Sequence, residues 1–212
     1  LQESYKEDWI KQAKFIQDNI TDAVIDKAFS KLPVEIQDDT SNQIKEKLKV
    51  RRENLVDLAS SYYEYLNKLV VITGTNKDDF IEITRFDEQT KISVYRIKKD
   101  KKILYKERIV NAKETEEIWV YALDDDDEIL VNGSGKKPIY TRIVGGQNND
   151  SYTIENGKNV KVYDYKSKPN TIVKKGSGVF KFQDIYANNV YDYTKHISKV
   201  NSFIPFSKET LF

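Results

Sequence analysis

Apolar positions recur at steps of three and four through the first third of the chain, then switch to steps of two near Val70. Trp9, Ala13, Ile16, Ile20, Ala23, Val24, Ala28 and Leu32 draw the stripe of an amphipathic helix over residues 3 to 32. Thr21-Asp22 is able to cap a separate helix inside that stretch, and Pro33 ends it. Thr40-Ser41-Asn42-Gln43 fits a capping box with Gln43 at the third helical position. Ile44, Leu48, Leu55, Leu58, Ala59, Tyr62, Tyr63 and Leu66 then mark a helix to about residue 68. Residues 1–68 are therefore expected to form a helical hairpin.

Beyond Val70, β-branched and aromatic runs at 70–73, 80–86, 91–97 and 103–110 are separated by polar turns at Asn76-Lys77-Asp78, Asp87-Glu88-Gln89 and Lys98 to Lys102. That pattern predicts an antiparallel meander. A different rhythm follows. Val144-Gly145-Gly146-Gln147-Asn148-Asn149-Asp150-Ser151-Tyr152-Thr153 is similar to the Gly-Gly-x-Gly-x-Asp-x-apolar-x nonapeptide of calcium-binding parallel β-rolls, with Asn148 in place of the third glycine. Asn is the non-glycine residue that best tolerates a left-handed turn.

Two segments echo this one. Asp127 and Asn170 fall in the slot of Asp150, 23 residues before it and 20 after it, and each is followed two positions later by an apolar residue. Alternating strands at 118–123, 139–144 and 160–164 precede the three turns. Stacked turns of this kind would bury Val120, Ile129, Ile143, Tyr152, Val162 and Ile172 in one seam. The expected fold is α+β: a helical hairpin, an antiparallel β-meander and a short parallel β-solenoid or roll-like stack within 69–179, then an aromatic, extended tail over 180–212. An antiparallel meander with acidic turns is the competing arrangement.

Composition narrows the chemistry. Lys+Arg 35 against Asp+Glu 34 leaves a net charge of +1, so no global field draws nucleic acid, and Lys47 to Arg52 reads as a solvated helix face. With no cysteine there is no disulfide, thiol nucleophile or zinc-thiolate site. No apolar run approaches the ~20 residues of a membrane-crossing helix, and no signal peptide is recognisable. A start at Leu1 and the lack of any methionine are expected of a piece excised from a longer polypeptide. His196 is the only histidine, with no acidic partner at a recognisable spacing, and no nucleophile elbow, zinc-helix motif or phosphate-binding loop occurs. Trp119, Tyr121, Tyr140 and Tyr163 read either as a sugar platform or as a packed sheet face.

The acidic run Asp124 to Glu128 invites calcium, which takes six to eight oxygen ligands. Asp127, Asp150 and Asp125 are the candidate metal residues, the first two on successive turns. The alternative is a solvated acidic turn in which Asp150 caps its own backbone. No catalytic or organic-cofactor residues are assigned.

A longer series of motifs carries a family resemblance: Leu48-Lys49-x-Arg51-Arg52, Leu55, Leu58-Ala59, Tyr62-Tyr63 and Gly74-Thr75-Asn76-Lys77-Asp78, then Thr115 to Tyr121, Asp126-Asp127-Glu128 and Arg142-Ile143-Val144-Gly145-Gly146. Over roughly residues 40 to 165 this resembles a region of large Bacteroidetes outer-membrane proteins. It lies there between a calcineurin-like metallophosphoesterase domain and a C-terminal β-barrel. The phosphoesterase motifs themselves are missing, and a two-metal site needs several His and Asp ligands. The resemblance implies a non-catalytic binding or scaffolding module of the cell envelope. Its partners would be other domains of the same polypeptide or envelope proteins, with membrane reached only through an adjoining barrel and no nucleic acid. A calcium-stabilised adhesion or carbohydrate-binding module is the alternative, and a polysaccharide-active enzyme a distant third.

Overall fold

The computed structural model describes residues 4–191, and the chain divides into two compact units, Leu1–Asn67 and Lys68–Phe212. The fold is α+β, with helices first and mixed parallel and antiparallel sheets after.

The helical unit holds α1 (Lys6–Asn19), α2 (Asp22–Phe29), α3 (Asp39–Glu53) and α4 (Leu55–Asn67). The break after α1 falls at the predicted cap, where Thr21 Oγ1 accepts from the Val24 N–H at 3.4 Å. That break turns Ile16, Ile20 and Val24 off a common stripe, and all three are exposed, while Ile25 is buried instead. The cap of α3 is Asp38 rather than Thr40: its Oδ1 accepts from the Ser41 N–H at 2.8 Å. The expected single helix to residue 68 is interrupted at Asn54, whose ψ of 6° leaves the helical region. Trp9 meets Tyr62 and Tyr63 edge-on between α1 and α4, and Asp26–Lys49 (2.8 Å) and Asp22–Arg52 (2.7 Å) tie α2 to α3. The basic cluster of α3 thus partly faces a neighbouring helix.

In the second unit the chain passes alternately between two sheets. One is β1 (Leu69–Thr73), β5 (Glu117–Leu123), β7 (Tyr140–Gly146), β9 (Val160–Asp164) and β11 (Val179–Phe182), in that order and parallel throughout. The other runs β10 (Thr171–Lys174), β8 (Ser151–Ile154), β6 (Glu128–Gly133), β2 (Asp79–Arg85), also parallel. The antiparallel hairpin β3 (Gln89–Lys98) and β4 (Lys101–Asn111) extends it beyond β2.

The meander expected from Val70 is therefore confined to β2, β3 and β4. β1 and β2 lie in different sheets, and each pairs in parallel with a strand about 48 residues later, as in Val70↔Ile118 and Phe80↔Glu128. The segments at 139–144 and 160–164 are parallel neighbours, with Ile143 opposite Val162. Val179–Phe182, expected in or beside an extended tail, is the last strand of the first sheet, and the short helix α5 (Tyr186–Asn189) follows it. Tyr193, Phe203 and Phe206 of that tail lie outside the described residues.

Inward-facing side chains alternate along β2, β8 and β9, as a half-covered sheet requires, whereas β5 is buried on both faces. Ile72, Ile81, Val120, Ile129, Ile143, Tyr152 and Val162 fill the core between the sheets. Ile172 departs from the expected seam. It sits inward on β10, but β10 is the edge strand and no further strand covers it, so 41% of its surface stays exposed. Ile143→Ala should cost about 2–5 kcal/mol through its cavity, and Ile172→Ala about 1 kcal/mol or less, in urea-unfolding midpoints. Equal losses at the two positions would contradict this packing.

Candidate functional site

Four turns that lead from the first sheet into the second stack at one corner of the core. Each ends on an inward-pointing acid or amide: Asp79, Asp127, Asp150 and Asn170. The backbone N–H of each aspartate donates to the side chain one turn on. Asp79 donates to Asp127 Oδ1 at 2.8 Å, Asp127 to Asp150 Oδ1 at 3.0 Å, and Asp150 to Asn170 Oδ1 at 2.7 Å. A second, outer column is sewn in the opposite direction, from Asp126 N–H to Asp78 Oδ1 and from Asn149 N–H to Asp126 Oδ1.

Room for the inner column comes from the strand ends opposite. Five residues before each aspartate stands a small residue, Gly74, Ala122 or Gly145. A methyl group on Gly145 would collide with Tyr152 Oη and Asp150 Oδ2 and lie 2.6 Å from Asp164 Oδ2; one on Gly74 would lie 2.9 Å from Asp79 Oδ2. The turns need left-handed backbone as well. Asp125 and Asn148 occupy equivalent positions at φ of 68° and 65°, the left-handed backbone expected at Asn148 and found at Asp125 as well.

Asp79, Asp127, Asp150 and Asp164 are all buried, whereas Asp124, Asp126 and Glu128 of the acidic run are exposed, so the run is solvated except at Asp127, and its carboxylates accept backbone N–H bonds as expected. Asp150 does not cap its own turn: its Oδ1 reaches back to the preceding one. Asp79 is the aspartate that does cap locally, accepting from the Thr75 N–H and hydroxyl. Asp125 is not gathered with the other two candidate metal residues. It faces outward to Lys77 Nζ (3.2 Å) and Asn148 Nδ2 (3.3 Å). Among the described residues no group of three or more His, Cys, Asp or Glu side chains is arranged to hold a metal ion.

Burial dominates the electrostatics of the column. It pushes the Asp127 carboxyl up to about 10, against the lowering effect of the Asp79 N–H and with help from the charges of Asp150 and Asp79. Burial, then the neighbouring Asp164, pushes Asp150 up to about 8. Asp164 and Asp79 are also raised, first by burial. Tyr152 Oη donates to Asp164 Oδ2 at 2.6 Å and lies 3.5 Å from Asp150 Oδ2. Two carboxyls so close in a dry corner cannot both ionise, so they share a proton. Asp127 Oδ2 has no hydrogen-bond partner, which favours the neutral acid still further.

The aromatic candidates form no open platform. Trp119 and Tyr121 are buried on the outer face of the first sheet, and the Arg142 guanidinium lies over the rings of Trp119 (4.7 Å) and Tyr163 (4.1 Å). Beside the same turns a cleft of about 360 Å³ is lined by Asn76, Tyr121, Asp124, Gln147, Asn189 and Tyr191, among others. His196 lies outside the described residues. Asp79 and Asp164, and Gly74 and Ala122 among the small residues opposite, are not assigned from sequence. The visible signal was Gly74-Thr75-Asn76-Lys77-Asp78-Asp79, which has the same small-residue-to-Asp spacing as Gly145 to Asp150. In comparisons with known proteins, no family model matches the chain, and neither a curated protein nor a solved structure matches it significantly.

The raised acids fix the sign of a pH dependence. Asp127 and Asp150 hold a proton in the folded state that they lose near pH 3.9 when unfolded. Their contribution is therefore complete below that pH and is lost as pH rises through about 8 for Asp150 and about 10 for Asp127. Within that window each group lowers stability by ~1.4 kcal/mol per pH unit. Urea midpoints should accordingly fall from pH 5 to pH 8, and Asp127→Asn, which keeps an acceptor for the Asp79 N–H, should flatten the slope by about one proton. A profile that rises toward pH 8 would show the acids to be ionised.

Proposed function

We propose that the chain is a non-catalytic scaffolding module whose second unit is a short, two-sheeted parallel β-solenoid carrying one inserted hairpin. The observation that carries this reading is the destination of the acids. The carboxyls with the most perturbed proton affinities point into the core and spend their oxygens on backbone N–H groups of adjacent turns. A general acid or nucleophile must instead reach a substrate. Parallel pairing in register from β1 to β11 makes a stiff spacer, suited to setting the distance between neighbouring domains.

The resemblance to the region between a metallophosphoesterase domain and an outer-membrane β-barrel gives that spacer a place, with other domains of the polypeptide or envelope proteins as its partners. No helix among the described residues is long and apolar enough to cross a membrane, so attachment falls to an adjoining barrel. The test is the gene on either side together with an assay. Histidine-rich phosphoesterase motifs upstream and alternating barrel strands downstream are expected. The chain alone should hydrolyse p-nitrophenyl phosphate no faster than buffer with manganese or zinc. Unrelated flanks, or turnover abolished by Asp127→Asn, would overturn the reading.

A carbohydrate-binding module is the second reading, favoured by the cleft beside the turns. There Tyr121 and Tyr191 stand 4.9 Å apart, and the buried Asn189 Oδ1 has no hydrogen-bond partner. Backbone amide shifts at Gly146, Gln147 and Tyr191 on titration with neutral oligosaccharides would select it. Unmoved resonances at millimolar sugar are the outcome expected of the scaffold.

A further inference from the structure

The hairpin of β3 and β4 is not needed to close the core at its far end. Its inner half contributes Thr90, Ile92, Val94 and Val110 to the buried interior. Its outer half, Arg96 to Tyr105, contributes no buried residue. This outer half carries a dense positive charge. Residues 98 to 106 read Lys-Lys-Asp-Lys-Lys-Ile-Leu-Tyr-Lys, five lysines against one aspartate, in a chain whose net charge is +1. Lys102 is engaged by Glu128 at 2.9 Å and lies over the Phe80 ring. Lys98, Lys99 and Lys101 are exposed and make no ion pair among the described residues. The turn itself is tight, with Lys99 and Asp100 at φ of 50° and 60°, so the lysines on its two arms are held close together against their own repulsion.

Next to these lysines, three consecutive apolar side chains are exposed: Ile103 by 52%, Leu104 by 54% and Tyr105 by 58%. A run of exposed apolar residues on an otherwise highly charged protein marks an interaction surface. Successive strand residues point to opposite faces. Ile103, opposite Arg96, and Leu104, opposite Tyr95, therefore flank the hairpin on both sides.

We propose that this hairpin tip docks on an anionic lipid surface, with Ile103, Leu104 and Tyr105 entering the interface and Lys98, Lys99 and Lys101 held at the headgroups. Charge complementarity selects an anionic partner, and the two-sided apolar tip selects a fluid one. A protein groove would cover one face and leave the other in water, whereas an interface closes around both. Addition of a partner strand along β4 is opposed by the register shift opposite Val94 and Tyr95 and by the lysines on the edge. Tyrosine and lysine next to aliphatic side chains are the residues that settle at the boundary between headgroups and acyl chains. The inference stands independently of the scaffolding role, since it needs only this chain.

The experiment is cosedimentation of the chain with vesicles of phosphatidylcholine alone or mixed with phosphatidylglycerol. Wild type should bind the mixed vesicles, release as salt is raised, and ignore the neutral ones. Each lysine near an anionic surface is worth roughly fivefold in partitioning. Lys98→Glu/Lys99→Glu/Lys101→Glu should therefore lose binding by about a hundredfold or more, with an unchanged melting temperature because all three side chains are exposed and form no ion pair among the described residues. Leu104→Ser/Tyr105→Ser should weaken binding while keeping its salt dependence. Wild type left in the supernatant with anionic vesicles would overturn the proposal. So would a triple variant that sediments like wild type, or binding to polyglutamate in preference to vesicles, which would mark a site for acidic protein.

Discussion

The hydrogen bond from one aspartate's backbone N–H to the side chain of the next turn is the contact on which the β unit depends. A chain that passes between two sheets must bend sharply at each crossing, and every bend leaves backbone donors without a strand partner. At this corner Asp79, Asp127 and Asp150 each present such a donor inside the protein, and each is answered by the residue stacked above it. The side chain thus continues the ladder where the strand has stopped. Aspartate and asparagine suit the task because their oxygen reaches one strand spacing while the backbone stays extended.

Such a column is stable only if its charges are removed. Four carboxyls in a dry corner, with Arg96 as the nearest cation to Asp79 at 3.6 Å, cannot all be ionised. The fold resolves this by keeping protons on Asp127 and Asp150, which burial first and the neighbouring carboxyls second favour, and by ending the column on the uncharged Asn170. The glycines opposite are part of the same solution. Without the space left by Gly145, Tyr152 Oη could not reach Asp164, and the shared proton of the Asp150–Asp164 pair would lose its third partner. Stability that declines toward alkaline pH, unlike that of a protein held by surface ion pairs, is the measurable face of this arrangement.

Much of this was legible in the sequence because local and repeating signals coincide. The change of period near Val70, the cap at Thr21, the left-handed slot at Asn148, and the shared slot of Asp127, Asp150 and Asn170 all survive in the structure. The errors arise where a contact is distant. Asp79 occupies the same slot, but the β3–β4 hairpin separates it from Asp127 by 48 residues, and a period of 20 to 23 does not reach across. Reading 70–86 as a meander had the same cause, since β1 and β2 find their parallel partners only beyond that hairpin. The expectation of a solvated acidic run holds at Asp124, Asp126 and Glu128 and fails at Asp127, which strand parity turns inward in step with Ile129.

The hairpin also explains how one insertion can coexist with a strict stack. The chain reverses after Arg85 to add β3 and β4 to the second sheet and crosses to the first only at Glu117, so β1 and β2 still pair in register with β5 and β6. The antiparallel strands lengthen the second sheet at the edge where a further parallel strand would otherwise add, and the outermost of them, β4, carries Lys101, Lys102 and Lys106. An exposed parallel edge invites another chain to pair with it. Here the inserted strands cover the edge of β2 with their inner halves and present a charged, apolar-tipped turn with their outer halves. One segment thereby limits growth of the sheet and supplies a projecting surface that the stack of turns, with its side chains alternating between core and solvent, does not otherwise provide.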